Sequence, residues 1–224
     1  MHYEKSLPHE LEAEINKTPV AYLPWGAHEW HGVHNPVGVD GLKAQFLAEE
    51  LCKETGGVVF PAVYCGHDTI QKMGFDYCLE FSAQTIESLA RDYLSELANI
   101  GFKVIVLVMG HWGGAHIGLI RRIVDEFNES QSVVCAWALQ DNEMTDAFGY
   151  PEDHGGVGET SYIMATLPDK VDLSQLPIDR PISPEKDGII GVDPRPDASV
   201  QRGLDAVEIY VREAAKRVRE MLAF

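Results

Sequence analysis

Val104-Ile105-Val106-Leu107-Val108-Met109-Gly110-His111-Trp112-Gly113-Gly114-Ala115-His116 decides the fold. Its first six residues are apolar without alternation, as a strand covered on both faces must be. Glycines then break the run, and Ile117, Ile120, Ile123, Val124 and Phe127 follow at helical spacing. Three more apolar runs share this character: Val20–Leu23, Val58–Val63 and Val133–Leu139. Helical patterns separate them. Asp40 opens one through Leu42, Phe46, Leu47 and Leu51, which stops at Gly56-Gly57. Another runs from Ser82 to Asn99 with Ile86, Leu89, Ala90, Tyr93, Leu94 and Leu97 on one face, and a last one carries Val200, Leu204, Val207, Val211, Val218 and Leu222. Buried strands alternating with helices predict a three-layer α/β/α fold around a mostly parallel central sheet. The 224 residues are expected to form a single domain, 1–224. Six of the twelve prolines fall between Pro168 and Ala198, which reads as an ordered extension because a helix follows it.

Composition bounds the function. A formal charge of −17 and a pI near 4.8 argue against a basic face for nucleic acid or anionic membrane. No apolar run approaches the roughly 20 residues of a membrane span. The polar, acidic N-terminal stretch fits no targeting segment, so a cytoplasmic location is expected. Cys52, Cys65, Cys78 and Cys135 are scattered and read as free thiols. There is no G-x-S-x-G, Walker loop or G-x-G-x-x-G, and His28-Glu29-Trp30-His31 is one residue short of the zinc signature H-E-x-x-H.

The histidines carry the functional reading. In open parallel sheets ligands bind off the carboxyl ends of the strands. Six of nine histidines lie in three such loops: Pro24–His34, Gly110–His116 and Glu152–Ser161. Glu29, His31, Asp40, His111 and Glu159 offer nitrogen and oxygen without thiolate, a donor set suited to Zn²⁺, Mn²⁺ or Fe²⁺ with a position open for water. If two metals sit about 3.5–4 Å apart, one carboxylate must bridge them, and Asp40 at a helix start suits that role. Taken singly, Asp40 reads equally well as a helix N-cap. His28, His34 and His116 each read alone as hydrogen-bonded loop histidines, and Trp25, Trp30 and Trp112 as packing or as the lining of a pocket.

Together the three loops resemble the creatininase (creatinine amidohydrolase) family. Pro24 to Asp40 is similar to the block P-x-G-(S/A)-x-E-x-H-G with its later aspartate, Met109 to Ala115 to an N-G-H-G-G-N-like loop, and His154 to Ser161 to H-(A/G)-G-x-x-E-T-S. The resemblance implies a hydrolase with two divalent ions per chain. Glu29 and His111 would hold one metal and His31 the other, with Asp40 bridging. Glu159 is expected to complete the second site. His154, with Asp153 beside it, would handle protons while metal-bound hydroxide attacks a carbonyl carbon. Trp25, Trp30, Trp112, His34 and Gly113 are the expected substrate-binding residues. Gly113 stands where creatininase proper has a glutamate, and Met109 where the loop usually has asparagine, so creatinine itself is not the expected substrate. The expected substrate is a small, polar, cyclic molecule cleaved at an amide C–N bond. The alternatives are C–C cleavage of a keto-inositol ring and a non-catalytic metal-loaded binding protein. The resemblance also implies a homo-oligomer, a hexamer.

Overall fold

Strand β1 (Val20–Gly26) is buried along all seven residues and forms the middle of the sheet. The computed structural model describes residues 1–145, 149 and 153–223, so Glu152 lies outside the described residues. On one side β1 pairs in parallel with β4 (Val104–Met109), from Val20↔Val104 to Trp25↔Met109, and β4 pairs in the same sense with β5 (Cys135–Gln140). On the other side lie β2 (Val58–Val59) and β3 (Val63–Tyr64), both parallel to β1. The expected single run Val58–Val63 is therefore split, with Pro61, which has no N–H for a ladder, in the gap. β5 begins two residues later than the apolar run suggests, at Cys135, the residue that pairs with Val104 at the start of β4. The strand order β2-β1-β4-β5 reverses direction beside β1, and that crevice is where α/β sheets bind ligands.

Alternate residues of each strand supply opposite faces. Ala21, Leu23, Trp25, Ile105 and Leu107 pack against α3 (Ala83–Ile100) and α4 (Gly114–Ser130), with α1 (Pro8–Lys17) at the edge of that layer. Val20, Tyr22, Val104 and Val106 pack against α2 (Val39–Thr55) and α9 (Val200–Leu222), whose inner side also holds α6 (Val157–Thr166). This is the expected three-layer arrangement, and Ser82 caps α3, its side chain accepting the Thr85 N–H. α2 differs from its sequence reading. Its N-cap is Gly38, and Asp40 lies inside the first turn with its Oδ2 accepting the Ala27 N–H. Its buried face includes Val39, Asp40 and Lys43, while Leu42 and Phe46 are only half-buried.

The remaining short helices are α5 (Asn142–Thr145), α7 (Pro184–Asp187) and α8 (Pro194–Asp197). The last two lie in the proline-rich segment, which ion pairs hold in shape: Arg180 forks onto Asp187 at 2.7 and 2.8 Å, and Arg195 bonds Asp193 and the Pro177 carbonyl. The segment reaches the sheet's ligand end, where Ile190 and His154 exchange backbone hydrogen bonds of 2.8 and 2.9 Å. Among the described residues no helix is long and apolar enough to cross a membrane, and the four cysteines are free.

Glycines at two strand ends let α2 approach. A Cβ on Gly26 would lie 2.2 Å from Gly41 N, and one on Gly110 would lie 2.0 Å from Asp40 O. Both clashes are with backbone, which cannot yield locally. Gly110→Ala is therefore expected to cost about 2–3 kcal/mol in urea unfolding, by overpacking. Unchanged stability would show that α2 is not wedged against β4.

Candidate metal centre

Asp40 leaves the first turn of α2 pointing into the crevice between β1 and β4 and is 2% exposed. Its two oxygens face different partners. Oδ2 lies 3.1 Å from His111 Nδ1, and Glu29 Oε2 lies 3.0 Å from that same nitrogen. Oδ1 lies 3.0 Å from His31 Nε2, which is also 3.4 Å from Glu159 Oε2. Besides Glu29–His31–His154, the donors form two sets that share Asp40: Glu29–Asp40–His111 and His31–Asp40–Glu159. All five side chains are buried. They come from the loop after β1, the start of α2, the loop after β4 and the start of α6.

Hydrogen bonds behind these groups set the tautomers. His31 Nδ1–H donates to the Glu29 carbonyl at 3.0 Å, and His111 Nε2–H donates to the His67 carbonyl at 2.8 Å. In the neutral rings the remaining nitrogens are lone pairs aimed at carboxylates, so each set needs either a cation or an extra proton. Glu29 Oε2 and His31 Nε2 are buried without a hydrogen-bond partner. These donors fit divalent ions of the kind that accept N/O ligands.

Without metal, protons take that place. Burial opposes charge on His31, but Asp40 and Glu159 outweigh it and lift its pKa to about 9. Burial likewise opposes a charged His111, yet Asp40 and Glu29 raise it well above the usual histidine value. Asp40 is driven well below the carboxylate range, against its burial, by His31 and His111.

A second tier surrounds the donors. Lys43, wholly buried, bonds Glu159 Oε1 at 2.8 Å, lies 3.6 Å from Asp141 and sits 4.4 Å from the centre of the Trp112 ring. Sequence reasoning missed it, because a lone lysine on a helix reads as solvated. The loop 66–70 was also missed as a support. The Ile70 N–H donates to Glu29 Oε1, and the His67 carbonyl accepts the His111 Nε2–H. On the loop's side both contacts are made by backbone atoms, which no residue type announces.

The donors open into a cleft of about 470 Å³ lined by Glu29, Asp40, His111, Glu159 and also Asp153, His154, Trp112 and Gly113. The His154 ring stacks on His31 at 4.1 Å, and its Nε2 bonds the Trp30 carbonyl at 2.7 Å. Burial, then the His31 charge, lowers its pKa. Asp153 accepts the Gly158 and Glu159 amides of the first turn of α6, and burial beside Glu159 lifts its pKa to about 7. Three expected substrate contacts are placed elsewhere. Trp25 is in the core with its Nε1 donating to the Cys65 carbonyl, and Trp30 stacks on Phe75 and donates to the Asp187 carbonyl. His34 is buried against Thr160 at 2.9 Å, its pKa lowered to about 4 by burial. None of these three lines the cleft.

The sign of the pH dependence follows. A histidine whose pKa is raised in the folded state stabilises fully below its unfolded value and loses that contribution as pH rises through the folded one. Chelated, metal-free protein is therefore expected to lose melting temperature between about pH 7 and 9, the range above the His31 unfolded value and up to its folded value of about 9. With divalent metal present the decline should vanish, because bound metal requires the deprotonated ring. A flat chelated profile would contradict the proton-for-metal exchange.

Comparison with known proteins identifies the family. The family model described as creatinine amidohydrolase matches residues 5–218. A creatinine amidohydrolase of Pseudomonas putida is 27% identical over 231 residues, covering 90% of this chain and 89% of that protein. A crystal structure of creatininase superposes with a TM-score of 0.81 at 24% identity, covering 98% of this chain and 96% of the other. A manganese form of creatininase gives 0.76 at 26% identity, covering 98% and 97%. With this match along nearly its whole length, the chain belongs to the creatininase family of metal-dependent amidohydrolases.

Proposed function

We propose that the chain is a two-metal hydrolase that opens an amide C–N bond in a small, polar, cyclic substrate. One observation carries this reading: a single buried carboxylate, Asp40, presents Oδ2 to His111 at 3.1 Å and Oδ1 to His31 at 3.0 Å. Divalent metals held there by Glu29, His111, Asp40, His31 and Glu159 would polarise a carbonyl and activate a water near neutral pH.

The chain's own residues do the rest. His154 Nε2–H is engaged by the Trp30 carbonyl, which leaves Nδ1 as the basic nitrogen, and burial keeps the ring neutral. Nδ1 takes one proton from the attacking water and returns it to the departing nitrogen as the C–N bond breaks, so protons balance over the cycle. Asp153, with its pKa near 7, shapes the turn that presents His154. Trp112, Ile70, Met73 and Ile190 give the cleft apolar walls, and its volume suits a small molecule.

The named relative's activity on creatinine, itself a cyclic amide, supports C–N over C–C cleavage. Gly113 supports a substrate other than creatinine. A Cβ there would lie 2.7 Å from the His67 carbonyl and 2.8 Å from that of Asp68, so loop backbone fills the space a longer side chain would need.

Turnover of creatinine, formamides and 3-keto-inositols by metal-loaded protein tests the assignment. His154→Ala is expected to retain both metals and lose about 10²–10⁴-fold in turnover, whereas Asp40→Ala should lose both metals. Turnover confined to keto-inositols would shift the reading to C–C cleavage, and no turnover on any class would end it.

A further inference from the structure

Glu80 lies outside every motif, in the stretch between Cys78 and Ser82, yet it organises one wall of the metal centre. Its Oε1 accepts His67 Nδ1–H and the Asp68 N–H, both at 2.8 Å. Its Oε2 accepts the Thr69 N–H at 2.8 Å and the Thr69 hydroxyl at 2.6 Å. Four donors on one carboxylate are charge-assisted bonds, which are shorter and stronger than neutral ones. The loop needs such a hold. Asp68 sits at φ 64°, in the left-handed region that non-glycine residues adopt only at a cost.

The loop so held touches the metal centre twice. The His67 carbonyl fixes the His111 tautomer at 2.8 Å, and the Ile70 N–H holds Glu29 Oε1, leaving Oε2 for the donor set. Both contacts act on Glu29 and His111, the two members of Glu29–Asp40–His111 that His31–Asp40–Glu159 does not share. The other set depends on different supports: the Glu29 carbonyl behind His31, and Lys43 and the Gly155 N–H on Glu159.

We propose that Glu80 is a positioning residue for one metal site only. By folding residues 67–70, it sets the orientation of Glu29 and His111 while leaving His31–Asp40–Glu159 untouched. The assignment rests on the two-metal reading, and its consequence is selective. The direct partners of these ligands, the His67 carbonyl and the Ile70 N–H, are of the kind that contribute about 10–100-fold in affinity, and Glu80 acts through both.

Titration of the metal-free chain with Co²⁺, followed by calorimetry and visible absorption, tests this. Glu80→Ala is expected to weaken one of two binding events by about 10–100-fold and the other by less than about twofold. Glu80→Gln is nearly isosteric, but one oxygen becomes an NH₂ that cannot accept the loop donors, so it should show the same selectivity in a smaller degree. A second readout needs no metal. Amide exchange at Ile70 should quicken at least about tenfold in both variants while β4 amides stay as protected as in the parent. Unchanged cobalt affinities with unchanged Ile70 exchange would overturn the proposal. So would equal weakening of both events together with faster β4 exchange, which marks general loosening. A parent chain that binds no cobalt would instead fail the proposed function, and Ile70 exchange would then decide the role of Glu80 in the loop.

Discussion

One buried carboxylate shared between two histidines is the constraint on which the rest depends. Asp40 can face both His31 and His111 only because the first turn of α2 lies against the ends of β1 and β4. That closeness requires Gly26 and Gly110, whose missing side chains leave room for the α2 backbone. The register Trp25↔Met109 then brings the two ligand-bearing loops out side by side. Sheet pairing, glycine placement and metal-ligand geometry are thus one arrangement, located where strand order reverses.

The centre is held mostly by backbone. Carbonyls of Glu29, His67 and Trp30 choose the tautomers of His31, His111 and His154, and the amides of Ile70 and Gly155 orient Glu29 and Glu159. Such a shell is rigid in a way side chains alone are not, because each group is tied into a loop that other contacts fix. It also separates the placing of the donors from the lining of the cleft. Cleft walls such as Met73 and Ile190 can change without disturbing the ligands.

The same division explains what the sequence made legible. Apolar runs without alternation announce buried parallel strands, and residue type singles out Glu29, His31, Asp40, His111 and Glu159, which the fold brings together. Roles taken by main-chain atoms were not. His67 matters chiefly through its carbonyl, Ile70 through its amide and Glu80 through a loop it folds. The tryptophans were read by proximity in sequence, but side-chain direction decides: Trp112 faces the cleft while Trp25, on the opposite side of its strand's pleat from Tyr22, enters the core. Lys43 escaped because a lone lysine on a helix reads as solvated until its partners, Glu159 and Asp141, are known. Proline content marked the segment 168–198 as distinct, but not that Ile190 would bond His154.

The central claim is that Asp40 bridges two ions. A crystal structure of the metal-loaded protein with anomalous data at the metal edge tests it most directly. Two peaks about 3.5–4 Å apart, one on each oxygen of Asp40, are expected. A single peak, or two peaks of which only one contacts Asp40, would contradict the account.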